Sequence, residues 1–215
     1  PPKNEDGTPY KLHPNVVPYI TLDRLTWADP VLRQSGYEQV EAWLESAENI
    51  GWYDYMYGAA YSLPRVYFHT MDKNYKYAQE QGVIGHVAEL YPNFAGEGPK
   101  AWVSAKLQWN PNQDVDKLLD DWYVSAVGED AAPCLKQYYQ NWEQFWTERM
   151  LDSEWFASSS RNVYLNFNDI SYLREISREE LYSQLDLLKQ VEDKAKTDQQ
   201  KARAELFLRA FEFYE

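Results

Sequence analysis

Gly82-Val83-Ile84-Gly85-His86-Val87-Ala88-Glu89-Leu90-Tyr91-Pro92-Asn93-Phe94-Ala95-Gly96-Glu97-Gly98-Pro99-Lys100 is the stretch on which the fold turns. Val83, Ile84 and Val87 make a short apolar run rich in β-branched residues, which reads as a buried strand. The run reaches a carboxylate, Glu89, and breaks at Pro92 into a loop with Gly96 and Gly98. An acid therefore sits where a strand ends. In barrels of parallel strands that end carries the chemistry, because its loops form the pocket while the opposite end serves stability. Glu89 is the first catalytic candidate.

Upstream, residues 65–80 follow Pro64, stop at Gly82 and carry Val66, Phe68, Met71, Tyr75 and Ala78 at helical spacing. Before them, residues 50–58 read as a strand whose alternation puts Trp52, Asp54 and Met56 on one side and Tyr53, Tyr55 and Tyr57 on the other. Asp54 is thus a second acid late in a strand. Tyr37, Val40, Trp43, Leu44 and Ala47 predict an amphipathic helix over residues 37–48. Residues 15–20 predict a first strand, at an edge or bulge because Pro18 lacks a donor. Between these two, residues 21–30 read as a loop with Asp23, Arg24 and Trp27, either a pocket wall or a surface ion pair with an indole beside it. The order strand, helix, strand, helix, strand argues for parallel strands with crossover helices.

Downstream the pattern becomes helical. Helices are expected over 101–108, over 115–127 with Asp114 as N-cap and Gly128 as stop, and over 131 to about 156 as one long element. A loop with a short extended piece at 162–165 follows. Residues 178–196 and 198–214 then read as a helical hairpin joined by Leu181, Leu185 and Leu188 against Leu206, Phe207 and Phe211. The fold class is α/β leading into all-α, with a division near residue 110: residues 1–110 β/α, residues 111–215 helical.

The 215 residues are 44% hydrophobic, enough for a core, and 16% aromatic, with 9 Trp and 18 Tyr. Aromatic faces suit the C–H faces of sugar rings; a Tyr-rich core explains the same composition equally well. A net charge of −13 and a pI near 4.7 repel polyanions, so nucleic acid is excluded as a partner. No apolar run approaches the roughly 18 residues of a membrane span. The lone Cys134 permits no internal disulfide and reads as a small buried filler.

Glycine-rich phosphate loops, paired cysteines, zinc-protease helices and nucleophile elbows are all missing, and His13, His69 and His86 are scattered. No metal and no cofactor is expected. What remains is the pair Asp54 and Glu89 on successive strands. Glycoside hydrolysis uses two carboxylates, about 5–5.5 Å apart for retention and about 6.5–9.5 Å for inversion. The competing reading is that either acid merely pairs with Arg24, Arg65 or Lys100.

Trp43, Gly51-Trp52-Tyr53-Asp54-Tyr55, Gly82-Val83-Ile84-Gly85, Glu89-Leu90-Tyr91-Pro92, Gly98-Pro99-Lys100, Ala105-Lys106-Leu107-Gln108-Trp109-Asn110-Pro111 and Asp114-Val115-Asp116 follow in an order that resembles a bacterial family of glycosidase-like barrel proteins. That family is catalogued mainly as a domain of unknown function and is similar in architecture to α-glucuronidases. The resemblance runs from about Pro1 through Tyr214. It implies the C-terminal part of a (β/α)8 TIM barrel, with three parallel strands near Val16, Trp52 and Ile84, followed by the helical region. Three strands cannot close a barrel, so the resemblance also implies a fragment, or a partner that supplies the remainder of the barrel. A secreted or periplasmic location would follow from the family.

The function implied is that of a carbohydrate-active protein, the C-terminal part of a glycoside hydrolase with Glu89 and Asp54 as its carboxylates. Trp27, Tyr53, Tyr55, Arg65, His69 and Tyr91 would contact a carbohydrate substrate. Two alternatives stand beside it: a non-catalytic glycan-binding module, and a helical interaction or scaffold protein.

Overall fold

Tyr19–Leu22 (β1), Gly51–Tyr55 (β2) and Gly85–Glu89 (β3) form a three-stranded parallel sheet in the order β1-β2-β3. The structure is a computed structural model that describes residues 1–57, 61–90 and 93–212. Parallel neighbours need crossovers, and the helices Pro30–Leu44 (α1) and Phe68–Glu80 (α2) supply them. The expected alternation of strands and helices is therefore present, and most of the described chain is helical. Tyr19 lies level with Gly51, Gly51 with Gly85, Asp54 with Ala88 and Tyr55 with Glu89.

Successive side chains point to opposite faces of a sheet. On the covered face, Ile20, Trp52 and Asp54 are buried. Trp27 packs edge-on against Trp52, Tyr37 of α1 and Tyr77 of α2, and Tyr75 of α2 meets His86. Both crossover helices thus lie on this one face. The other face is open: Tyr19 is 45% exposed and Val87 44%. There the Tyr19 ring lies across two glycines, where a Cβ on Gly51 would come within 2.6 Å of the ring and one on Gly85 within 2.7 Å of its hydroxyl.

Several boundaries differ from the sequence reading. The stretch around Val83 and Ile84 is no buried strand: β3 begins only at Gly85, lies at a sheet edge, and Ile84 is 60% exposed. The first strand sits later than expected because Pro18 precedes it, its carbonyl accepting from Gly51 N at 2.9 Å. The first helix starts at Pro30 rather than residue 37. Asp29 caps it by accepting from Val31 N and Leu32 N, both at 2.8 Å, and Pro30 suits the first turn. Within the expected loop a 3-10 helix runs over Arg24–Ala28, capped by Asp23. The second helix starts at Phe68 because Arg65 is drawn away to Asp23 and to the carbonyls of Tyr55 and Tyr57.

A short helix, Phe94–Glu97 (α3), occupies part of the expected loop, followed by Lys100–Trp109 (α4). Val115–Val127 (α5) has the bounds and the Asp114 cap expected of it. The long helix over 131–156 is three pieces: Ala132–Thr147 (α6), a 3-10 turn Arg149–Asp152, and Glu154–Ser159 (α7). The break is made by Ser153, whose hydroxyl donates to Met150 O at 2.7 Å and accepts from Phe156 N at 3.1 Å, ending one element and capping the next. Residues 162–165 are not a strand, although Val163 O accepts from Asp23 N at 2.8 Å. A further 3-10 helix, Ile170–Glu175, precedes the hairpin of Arg178–Lys194 (α8) and Asp198–Glu212 (α9); Ser177 and Glu180 form a capping box at its start. One buried cluster runs from Ile20 through α5 and α6 to Phe211 of α9, so the core is continuous across residue 110. Among the described residues, no helix is long and apolar enough to cross a membrane.

Candidate functional site

The C-terminal ends of β2 and β3 meet on the open face. Tyr55 and Glu89 are lateral neighbours there, with Tyr53 one step behind. Both oxygens of Glu89 are engaged: Tyr53 donates its hydroxyl to Oε1 at 2.6 Å, and Tyr57 donates to Oε2 in a very short hydrogen bond. These two donors hold the Glu89 carboxyl below the usual range, so it is an anion at neutral pH. The aromatic wall continues outward. Tyr55 packs against Tyr164 with ring centres 5.2 Å apart, Tyr57 against Phe167 at 5.2 Å, and Tyr164 stacks on Phe167.

Behind this surface lies a buried ionic frame. Arg65 Nη2 donates to both oxygens of Asp23, at 2.5 and 2.6 Å, with both side chains wholly buried, and Arg65 Nη1 donates to Tyr55 O at 3.0 Å. Burial works against its charge, yet Asp23 holds the guanidinium pKa above its ordinary value. Lys100, also fully buried, donates to Arg65 O at 2.9 Å and lies 3.1 Å from Glu97. Burial lowers its ammonium to about 8. The donations of Arg65 and Lys100 to the carbonyls of Tyr55, Tyr57 and Arg65 tie this frame to the chain that leaves β2.

Asp54 lies on the other side of the sheet. Its Oδ1 accepts from Arg24 N at 3.0 Å and Tyr55 N at 2.9 Å, its Oδ2 is 3.5 Å from His86 Nε2, and it is 3% exposed. Burial alone would raise its pKa; His86 and Arg24 outweigh it and hold the carboxyl below its usual value. The register thus places Asp54 and Glu89 on opposite faces of the sheet rather than at one mouth. Neither has the raised pKa that suits a proton-donating acid.

The other sequence candidates are scattered. Trp27 is 1% exposed and belongs to the covered face. Arg65 belongs to the frame. His69 lies in a separate cleft of about 420 Å³ with Arg33, Lys73 and Glu148; its Nδ1 is 2.8 Å from Glu143 Oε2 and its Nε2 is 3.3 Å from Asp116 Oδ1. Tyr91 falls outside the described residues. Tyr53, Tyr55 and Glu89 are the three that come together. Sequence reasoning omitted Tyr57, although its parity with Tyr53 and Tyr55 was the available signal. For Tyr164 and Phe167 no local signal exists, because a distant loop delivers them. Among the described residues, no three His, Cys, Asp or Glu side chains are grouped to hold a metal.

The model of the family described as Domain of unknown function (DUF4838) matches residues 3–140. The chain belongs to this family. The DUF4838 match takes in all three strands, the Asp23–Arg65 frame and the Tyr53, Tyr57 and Glu89 cluster, whereas Tyr164, Phe167 and the α8–α9 hairpin lie beyond it. No curated protein and no solved structure matches the chain.

Proposed function

We propose that this DUF4838 member is a carbohydrate-active protein whose sugar site is the open face at the C-terminal ends of β2 and β3. The single observation that carries the reading is Glu89, an ionised carboxylate held on a tyrosine-lined, solvent-facing strand end by two phenol donors. Aromatic rings offer faces for sugar C–H groups, and a fixed carboxylate accepts hydroxyl hydrogens strongly.

The strands are read as successive units of a (β/α)8 barrel. Supporting this are their sequential order, their parallel sense and the placing of both crossover helices on one face, which a doubly wound sheet would not have. The open face then corresponds to a barrel interior. Glu89, being ionised, serves as hydroxyl acceptor, nucleophile or base rather than as proton donor. The lowered pKa of Asp54 and its place on the opposite face favour glycan binding by this chain over hydrolysis by the Asp54–Glu89 pair.

A glycan panel scored for both affinity and cleavage products tests the reading. The expected result is binding of a subset of glycans, weakened at least tenfold by Tyr55→Ala, with any cleavage surviving Asp54→Asn. The absence of binding across the panel overturns the carbohydrate reading; cleavage abolished by Asp54→Asn in a folded protein overturns the assignment of roles.

A further inference from the structure

On the far side of β3 from the Glu89 cluster is a cleft of about 370 Å³, enclosed by β3, the end of α2 and the end of α4. At its rim stands Trp109, the last residue of α4 and 91% exposed. Its indole faces solvent at the mouth of the cleft and offers an aromatic platform there. The floor is formed by Trp52, Tyr75 and His86. His86 Nε2 is turned toward Asp54 Oδ2 at 3.5 Å, whereas Trp52 Nε1 is buried with no hydrogen-bond partner among the described residues. Two amides complete the walls. Gln79 accepts from Asn112 Nδ2 at 3.3 Å and Gln108 donates to Ser104 Oγ at 2.9 Å, so each side chain is oriented before a ligand arrives.

We propose that this cleft is a second sugar site, separate from the Glu89 face, taking one uncharged pyranose ring stacked on Trp109 with its hydroxyls toward Gln79 and Gln108. Among the described residues no Lys, Arg, Asp or Glu lines the cleft, so they give it neither the charged donors that a phosphate or carboxylate requires nor the anions that would attract a cation. An aromatic face beside fixed amides matches a ring that is apolar on one side and hydroxylated around its edge. The volume falls within the range of small-ligand clefts, about 300–1,000 Å³.

The test is titration of the whole protein with methyl β-D-glucopyranoside, methyl β-D-xylopyranoside and uridine, read on the indole N–H signals of the nine tryptophans, with Trp109 assigned from Trp109→Ala. The expected result is a saturable shift of the Trp109 signal with at least one glycoside, loss of that binding event by tenfold or more in Trp109→Ala, and no change in Glu89→Gln. No shift at Trp109 with either glycoside overturns the proposal, as does a shift with uridine alone. A glycoside response lost in Glu89→Gln and kept in Trp109→Ala also overturns it while leaving the Glu89 reading intact. A response lost only in Trp109→Ala supports the second site even if the Glu89 reading fails.

Discussion

The two faces of the sheet carry one carboxylate each, from neighbouring strands, and the two acids have opposite circumstances. Asp54 is enclosed with Trp52, Arg24 and His86 and spends its oxygens on backbone amides and a ring nitrogen. Glu89 stands on the open face, where the phenol hydroxyls of Tyr53 and Tyr57 meet its two oxygens. Residue parity, through the register Asp54 to Ala88 and Tyr55 to Glu89, produces the difference. An acid near a strand end is therefore not one kind of residue: one face makes it a structural pin, the other makes it available to a ligand.

The largest effect that could break this comparison comes from Asp54→Ala. It leaves the buried backbone N–H groups of Arg24 and Tyr55 without their acceptor, at about 1–3 kcal/mol each, and removes the negative charge that opposes the desolvation of the buried Arg24 guanidinium. Urea unfolding should show a loss of that size, while Glu89→Ala should lose about 1 kcal/mol or less, as surface interactions do. Equal losses in the two variants would contradict the distinction between the faces. Next in size is Gly36→Ala. A Cβ there would lie 2.3 Å from Trp27 Nε1, displacing the indole that supports the covered face, with an expected cost of about 1–3 kcal/mol from overpacking. An unchanged unfolding midpoint would mean that Trp27 is looser than its packing implies.

The β-α-β-α-β order, the bounds of α5 between Asp114 and Gly128, and the alternation of Trp52, Asp54 and Met56 against the tyrosines follow from local patterns. Whether Asp54 and Glu89 share a face does not, because it depends on the register between two strands. The burial of Arg65 was equally hidden: a lone arginine after a proline reads as surface until Asp23 is brought beside it. The apolar stripe of α6 continues into Met150 and Leu151, which conceals the break made by Ser153. Tyr164 and Phe167 reach the site only through tertiary folding.

A smaller effect serves as a control remote from both faces. The hydrogen-bonded Glu143 carboxylate, with Asp116 beside it, raises His69 to about 9 from its ordinary 6.5. A raised pKa makes this stabilisation complete below pH 6.5 and lost as pH rises through about 9. Because the ring is 44% exposed, screening limits it to on the order of 1 kcal/mol or less. The stability difference between wild type and His69→Gln should therefore shrink between those pH values; a difference independent of pH would show that the ion pair does not form in solution. Smallest in stability terms is Tyr53→Phe, which removes one donor to Glu89 and should raise the carboxyl's titration midpoint toward its ordinary 4.5 in carboxyl-resolved NMR, with unfolding shifted by less than about 1 kcal/mol. A midpoint that stays put would detach Tyr53 from the site.

The most direct measurement of the central claim is calorimetric titration of wild type and Glu89→Gln with a glycan to which the wild type binds. The account predicts that Glu89→Gln weakens binding at the sheet face at least tenfold while its urea midpoint stays close to that of wild type. Undiminished affinity in a fully folded Glu89→Gln protein would contradict it.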